Sequence, residues 1–137
     1  MSEWVLLLGG STGHGAATAK RLARDGFGII AFHFDRGAAK KTAEETIAEV
    51  NDITKGNCHY FNTNAASEES MDRYIPKINE ITKGKPLKLL LHSIAFGTTT
   101  NFFGEKPVTQ RQMDMTVHVM GNSLLYWTQK LHQAKLL

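Results

Sequence analysis

Apolar residues in this chain fall into two patterns: short continuous runs, and longer stretches where they recur every three or four positions. The runs Trp4 to Leu8, Gly28 to Phe34, Cys58 to Asn62 and Leu87 to His92 predict β-strands. The periodic stretches predict helices at Ala16 to Asp25, Ala38 to Lys55, Glu68 to Lys83 and Gln110 to Lys135. Two of these have clear start signals. Ser67 stands ahead of Glu68 and Glu69, and Thr109 with Gln112 makes a capping box. Strands that are apolar almost throughout belong to parallel sheets buried on both faces, and their alternation with helices predicts right-handed crossovers. The fold class is therefore α/β, a doubly wound parallel sheet.

Composition narrows this only slightly. The chain of 137 residues is one domain's worth, with 42% hydrophobic and 21% charged residues, near globular averages. The net charge of +3 is mild. Lys20, Arg21, Arg24, Lys40, Lys41, Lys83, Lys85 and Lys88 are scattered, without interleaved aromatics, which argues for solvated faces and against a nucleic-acid partner. No apolar stretch is long enough to span a bilayer, and the start lacks a signal peptide's pattern, so the expected location is cytoplasmic. The one cysteine, Cys58, reads as a small residue packed near the start of a strand. His14, His59 and His132 show no metal-ligand spacing with each other or with carboxylates.

Chemistry enters between the first strand and the first helix, at Gly9-Gly10-Ser11-Thr12-Gly13-His14-Gly15. Residues without Cβ let the chain reverse and a diphosphate approach the backbone, facing the free N–H groups and positive dipole end of the helix. A P-loop would need Lys and Ser or Thr after the last glycine, where Ala16 and Ala17 stand. The pattern G-x-G-x-x-G fails at Thr18, whereas the wider G-x-x-x-G-x-G is met by Gly9, Gly13 and Gly15. With the second strand following, this is a Rossmann-type βαβ unit. The connection from Phe96 to Val108, with Phe102, Phe103 and Pro107, lies beyond the carboxyl end of the fourth strand, where ligands of open α/β sheets bind.

On these residues the chain resembles the short-chain dehydrogenase/reductase family, which binds NAD(H) or NADP(H). The resemblance implies a cofactor site made of Gly9, Ser11, Thr12, Gly13, His14 and Gly15, with His14 flanking the diphosphate. A carboxylate at the end of the second strand accepts the ribose hydroxyls of NAD, and an arginine nearby accommodates the 2′-phosphate of NADP. His33-Phe34-Asp35-Arg36 carries both signals. Aligned on the family's glycines, His33 takes the usual carboxylate position and Arg36 falls where a phosphate clamp forms, which favours NADP(H) over NAD(H). Asn64-Ala65 falls where relatives place Asp-Val against the adenine, and the Asn64 amide can donate or accept there. His92-Ser93-Ile94-Ala95 replaces the usual Asn-Asn-Ala-Gly and resembles the enoyl-acyl-carrier-protein reductase branch, which acts in fatty-acid elongation. That likeness implies that Ser93, Ile94 and Ala95 pack beside the nicotinamide ribose, and that an acyl thioester, enoyl or oxoacyl, is the substrate of the intact protein.

Catalytic residues are not expected in this chain. The family uses a tyrosine and a nearby lysine to stabilise developing negative charge. Tyr126 and Lys130 read Y-x-x-x-K, but only about thirty residues separate Ala95 from Tyr126, room for one loop and part of one helix by ordinary element lengths. The pair is therefore expected inside the helix that precedes the family's catalytic strand, as structural residues. His118, three before Gly121, stands where many relatives have an Asn that holds a proton-relay water, and is the one relay candidate. The expectation is a Rossmann domain truncated after the helix that follows the fourth strand: the cofactor-binding part of an oxidoreductase, inactive alone. The alternative is a dinucleotide-binding or redox-sensing module without catalysis. Exposed Val117, Leu124, Leu125 and Trp127 on the last helix predict pairing of subunits.

Overall fold

Four strands pair in parallel, in the order β3-β2-β1-β4, in a computed structural model that describes residues 2–137. They are β1 (Trp4–Leu8), β2 (Gly28–His33), β3 (Cys58–Asn62) and β4 (Leu89–His92). The crossovers carry α1 (Gly13–Arg24), α2 (Ala39–Thr54) and α3 (Glu68–Thr82). After β4 comes one helical run in three pieces: α4 (Gln110–Val117), a π-helical segment (His118–Asn122) and α5 (Ser123–Gln133). Among the described residues no helix is long and apolar enough to cross a membrane.

The alternation of side chains along a strand explains why β1 and β2 are apolar throughout. Leu6, Leu8, Ile30 and Phe32 point to one face and pack with Met71 and Ile78 of α3 and Trp127 and Leu131 of α5. Val5, Leu7, Ile29 and Ala31 point to the other and meet Ala19 and Ala23 of α1 and Val50 of α2. Both faces of the sheet are thus covered, the doubly wound arrangement. The edge strands β3 and β4 are only half-buried, so burial on both faces holds for the central pair alone. Ser67 caps α3 by accepting from the Ser70 N–H at 3.1 Å, and the Thr109–Gln112 capping box of α4 forms in both directions.

Several element ends differ from expectation. The chain leaves β2 after His33, and Phe34 is exposed. Leu87 is buried but outside β4; its N–H donates to the Leu136 carbonyl at 2.8 Å. Helix α1 starts at Gly13, inside the glycine motif, three residues earlier than Ala16. The last helix is interrupted by the π segment and ends at Gln133. The largest correction concerns Trp127, which was expected on an exposed pairing face. It is fully buried, its ring centroid 5.2 Å from that of Phe32 and its Nε1–H donating to the Ala65 carbonyl at 2.7 Å. Val117, Leu124 and Leu125 are exposed as expected.

Candidate functional site

The glycine turn is built by close backbone approach. The N–H groups of Gly9 and Gly10 both donate to the Phe32 carbonyl, at 2.9 and 3.0 Å, which folds the exit of β1 onto the end of β2. Gly9 has φ +94°, and a Cβ there would collide with the Ser93 carbonyl of the β4 exit. A Cβ on Gly15 would collide with the Gly9 carbonyl, so α1 can start this close to the turn only with glycine there. Gly13, at φ +54°, faces open space. Thr12, the N-cap of α1, is extended and makes no side-chain cap. The first N–H groups of α1 have no partner within the helix, and the usual substitute is absent.

Beside this turn, at the carboxyl ends of the strands, lies a cavity of about 300 Å³. Its walls come from Gly9, Ser11 and Thr12, from the end of β2 through Asp35, from Thr63 to Ala66 after β3, and from Ser93 to Phe96 after β4. Met115 of α4 and Val119 of the π segment close one side.

Hydrogen bonds fix these walls from behind. The Asn64 Oδ1 accepts from the Ala66 N–H at 3.0 Å, leaving the amide NH2 of Asn64 exposed. Trp127 holds the Ala65 carbonyl, and His118 Nε2 lies 2.8 Å from the Ala66 carbonyl. The Ser123 hydroxyl donates to the Val119 carbonyl at 2.7 Å and therefore accepts from His92 Nε2–H at 2.8 Å. That bond ties the end of β4 to the start of α5. Burial pulls the His92 imidazole below its ordinary value of 6.5, which favours the neutral ring that this arrangement uses.

The end of β2 carries the only carboxylate of the cavity wall among the described residues. Asp35 Oδ2 accepts from the Ser11 hydroxyl at 2.6 Å and lies 2.8 Å from His33 Nδ1. Arg36 is exposed and stacks over the ring of Phe34, itself a residue of the cavity wall, 4.6 Å from its centroid.

The family model described as short chain dehydrogenase matches residues 3–135. This chain belongs to that family. The 3-oxoacyl-[acyl-carrier protein] reductase of Brucella melitensis, in complex with NAD, superposes with a TM-score of 0.78 at 18% identity, over 99% of this chain and 50% of that one. A short-chain dehydrogenase/reductase of Serratia marcescens superposes with a TM-score of 0.76 at 20% identity, over 96% of this chain and 50% of that one. The chain thus spans about half the length of these solved structures, 50% in both cases. No curated protein matches it by sequence.

Of the site residues read from the sequence, Gly9, Ser11, Thr12, His33, Asn64, Ala65, Ser93, Ile94 and Ala95 come together on the cavity wall. Gly13 and His14 are exposed at the start of α1, and Gly15 is buried behind the turn. Arg36 is not itself a wall residue, but its guanidinium stacks on Phe34, which is. His118 is not on the wall either. Its Nε2 is taken up by the Ala66 carbonyl, and it lines a second cleft of about 280 Å³ with Glu68, Tyr126 and Lys130. There Lys130 is held by Asp72 at 2.6 Å and Glu68 at 3.5 Å, so the Y-x-x-x-K pair sits apart from the cavity. The wall also holds Phe32, Phe34, Asp35, Thr63, Ala66, Phe96, Met115 and Val119, which the residues singled out for the site did not include. Of these, Phe34 and Asp35 carried a signal in the His-Phe-Asp-Arg motif, and Phe96 in the start of the connection after the fourth strand.

Proposed function

We propose that the cavity is the site of a nicotinamide dinucleotide and that the chain is the cofactor-binding part, a partial Rossmann domain, of an NAD(P)H-dependent oxidoreductase. The observation that carries this reading is the junction of Gly9 to Gly15 with the uncapped start of α1, a cradle that a Cβ at Gly9 or Gly15 would close. The unpartnered N–H groups there fit a diphosphate, and the Asn64 amide at the far wall fits an adenine edge. Ser93, Ile94 and Ala95 border the end where the nicotinamide ribose would lie. When bound, the dinucleotide supplies or takes up the hydride; the chain's own residues orient it and exclude water.

For the cofactor, the sequence favoured NADP(H) through Arg36. The geometry supports NAD(H) better at neutral pH, since the carboxylate of Asp35 and not the guanidinium of Arg36 stands on the wall. An enoyl or oxoacyl thioester is the proposed substrate class of the intact protein, supported by His92-Ser93-Ile94-Ala95. Exposed Val117, Leu124 and Leu125 support pairing of subunits along α4 and α5.

A second reading, a dinucleotide-binding module without catalysis, is favoured by one observation. Among the described residues the cavity wall holds no tyrosine or lysine to stabilise an oxyanion. Titration of the chain with NADH, followed by the rise in nicotinamide fluorescence, tests the binding on which both readings depend. Saturable binding is expected, without consumption of NADH when an enoyl thioester is added. No binding would remove both readings, and turnover that Tyr126→Phe abolishes would place catalysis in the second cleft.

A further inference from the structure

The side chains of Ser11, Asp35 and His33 form a short chain of polar contacts on the cavity wall that binding alone does not require. His33 is the last residue of β2, its side chain only 7% exposed, and that of Asp35 is only 13% exposed. The backbone of Asp35 is held on both sides by Asn62: its N–H donates to Oδ1 at 3.2 Å and its carbonyl accepts from Nδ2 at 3.1 Å. One carboxylate oxygen, Oδ2, receives both Ser11 and His33. The other has no hydrogen-bond partner among the described residues.

We infer that His33, acting through Asp35, determines which dinucleotide the cavity accepts, admitting a 2′-phosphate only when the imidazole is charged. The inference rests on the reading of the cavity as a dinucleotide site. An ionised carboxylate only accepts hydrogen bonds, so Nδ1 of His33 carries a proton in either state of the ring. With a neutral ring the pair presents one net negative charge. Oδ1 is then ready to accept a ribose hydroxyl, and a phosphate of charge near −2 is repelled. With an imidazolium the pair is neutral overall, and the repulsion is largely cancelled.

One other charge stands near this position, the Arg36 guanidinium over the Phe34 ring of the wall, and it stays charged throughout. From the β1–α1 turn the facing group is the Ser11 hydroxyl. From β3 and its exit they are Asn62, Thr63, whose N–H donates to the His33 carbonyl, and Tyr60, with ring centroid 6.1 Å away. Burial pushes the Tyr60 phenol well up, so it stays a neutral donor, to the Gly10 carbonyl. Beyond Asp35, Arg36 is turned over Phe34, and Asp35 is the one ion-pair partner of His33 among the described residues. His33 is thus a positioning residue, and its charge is read at Asp35.

The test is calorimetric titration of the full chain with NAD+ and NADP+, both stable in mild acid, between about pH 5.5 and 8. The ratio of the NADP+ to the NAD+ dissociation constant is expected to fall at least roughly tenfold as the pH drops, with NAD+ affinity nearly constant. The phosphate also titrates in this range, and His33→Gln reports its share: the variant should keep only a shallow dependence. Asp35→Asn should lower the ratio and leave only a shallow pH dependence; a dependence as steep as the wild type's overturns the inference, which keeps the test decisive if His33→Gln does not fold. A ratio that does not change with pH, or one as steep in His33→Gln as in the wild type, overturns the inference and leaves the dinucleotide site standing. Failure of both nucleotides to bind at every pH overturns both.

Discussion

Replacing Gly15 by alanine is expected to remove dinucleotide binding and to destabilise the fold by more than about 3 kcal/mol, beyond ordinary overpacking. The added methyl would fall into the Gly9 carbonyl, its carbon 2.8 Å from the carbonyl carbon and 3.3 Å from the Gly10 Cα. These are backbone atoms, and both neighbours are pinned to the Phe32 carbonyl, so the clash cannot be relieved by turning a side chain. Relief requires α1 to move away from the turn, which opens the cradle. Gly15 has no unusual φ, so the penalty is steric. Gly13 provides the contrast. Its φ of +54° faces open space, and alanine there should cost only the left-handed backbone term, about 1–2 kcal/mol. Urea unfolding of the two variants beside the wild type, with NADH titrations of each, checks the order; equal losses would contradict it.

Trp127→Ala should be the most damaging change outside the turn, at about 3–5 kcal/mol. The indole is fully buried between α5 and the sheet, in contact distance of Phe32, and it holds the Ala65 carbonyl that stands in the cavity wall. Trp127→Phe separates these two roles. It keeps most of the apolar volume and leaves the Ala65 carbonyl unpaired, a loss of about 1–3 kcal/mol. Because Ala65 borders the proposed adenine position, the Phe variant should also bind NADH more weakly. Leu125→Ala, on the exposed side of the same helix, should change stability by no more than about 0.5 kcal/mol. A Trp127→Phe variant as stable and as tight-binding as the wild type would show that the indole N–H does not set the wall.

The order of strands and helices, the doubly wound sheet and the glycine turn are legible in the sequence because each rests on local pattern. Apolar runs mark β1 and β2, and the capping residues Ser67 and Thr109 mark two helix starts. Trp127 was misread for a physical reason. The buried line of the last helical run is Val119, Ser123, Trp127 and Leu131, four residues apart, and it begins in the π segment. The polar Ser123 occupies that line because Val119 and His92 satisfy its hydroxyl, while apolar Leu124 and Leu125 lie off it. Polarity there points the wrong way, and a π turn shifts the face that follows it.

Asp35 is hard to read from sequence for another reason. Beyond a strand's end no alternation sets side-chain direction. The Asp35 side chain is held by Ser11, 24 residues earlier, and by His33 on the strand itself. Such a bond between distant segments leaves no periodic trace. The separation of Tyr126 from the cavity, by contrast, followed from counting residues between elements, and the structure places it on the second cleft.

If the cavity at the carboxyl ends of the strands is the dinucleotide site, as proposed, amide chemical shifts of the labelled chain, recorded without and with saturating NADH, will register it. The largest changes are expected at Gly13 to Gly15, Asp35, Asn64 to Ala65 and Ser93 to Ala95, with little change around Tyr126 and Lys130. Changes centred on the second cleft, or none at saturating NADH, would contradict it.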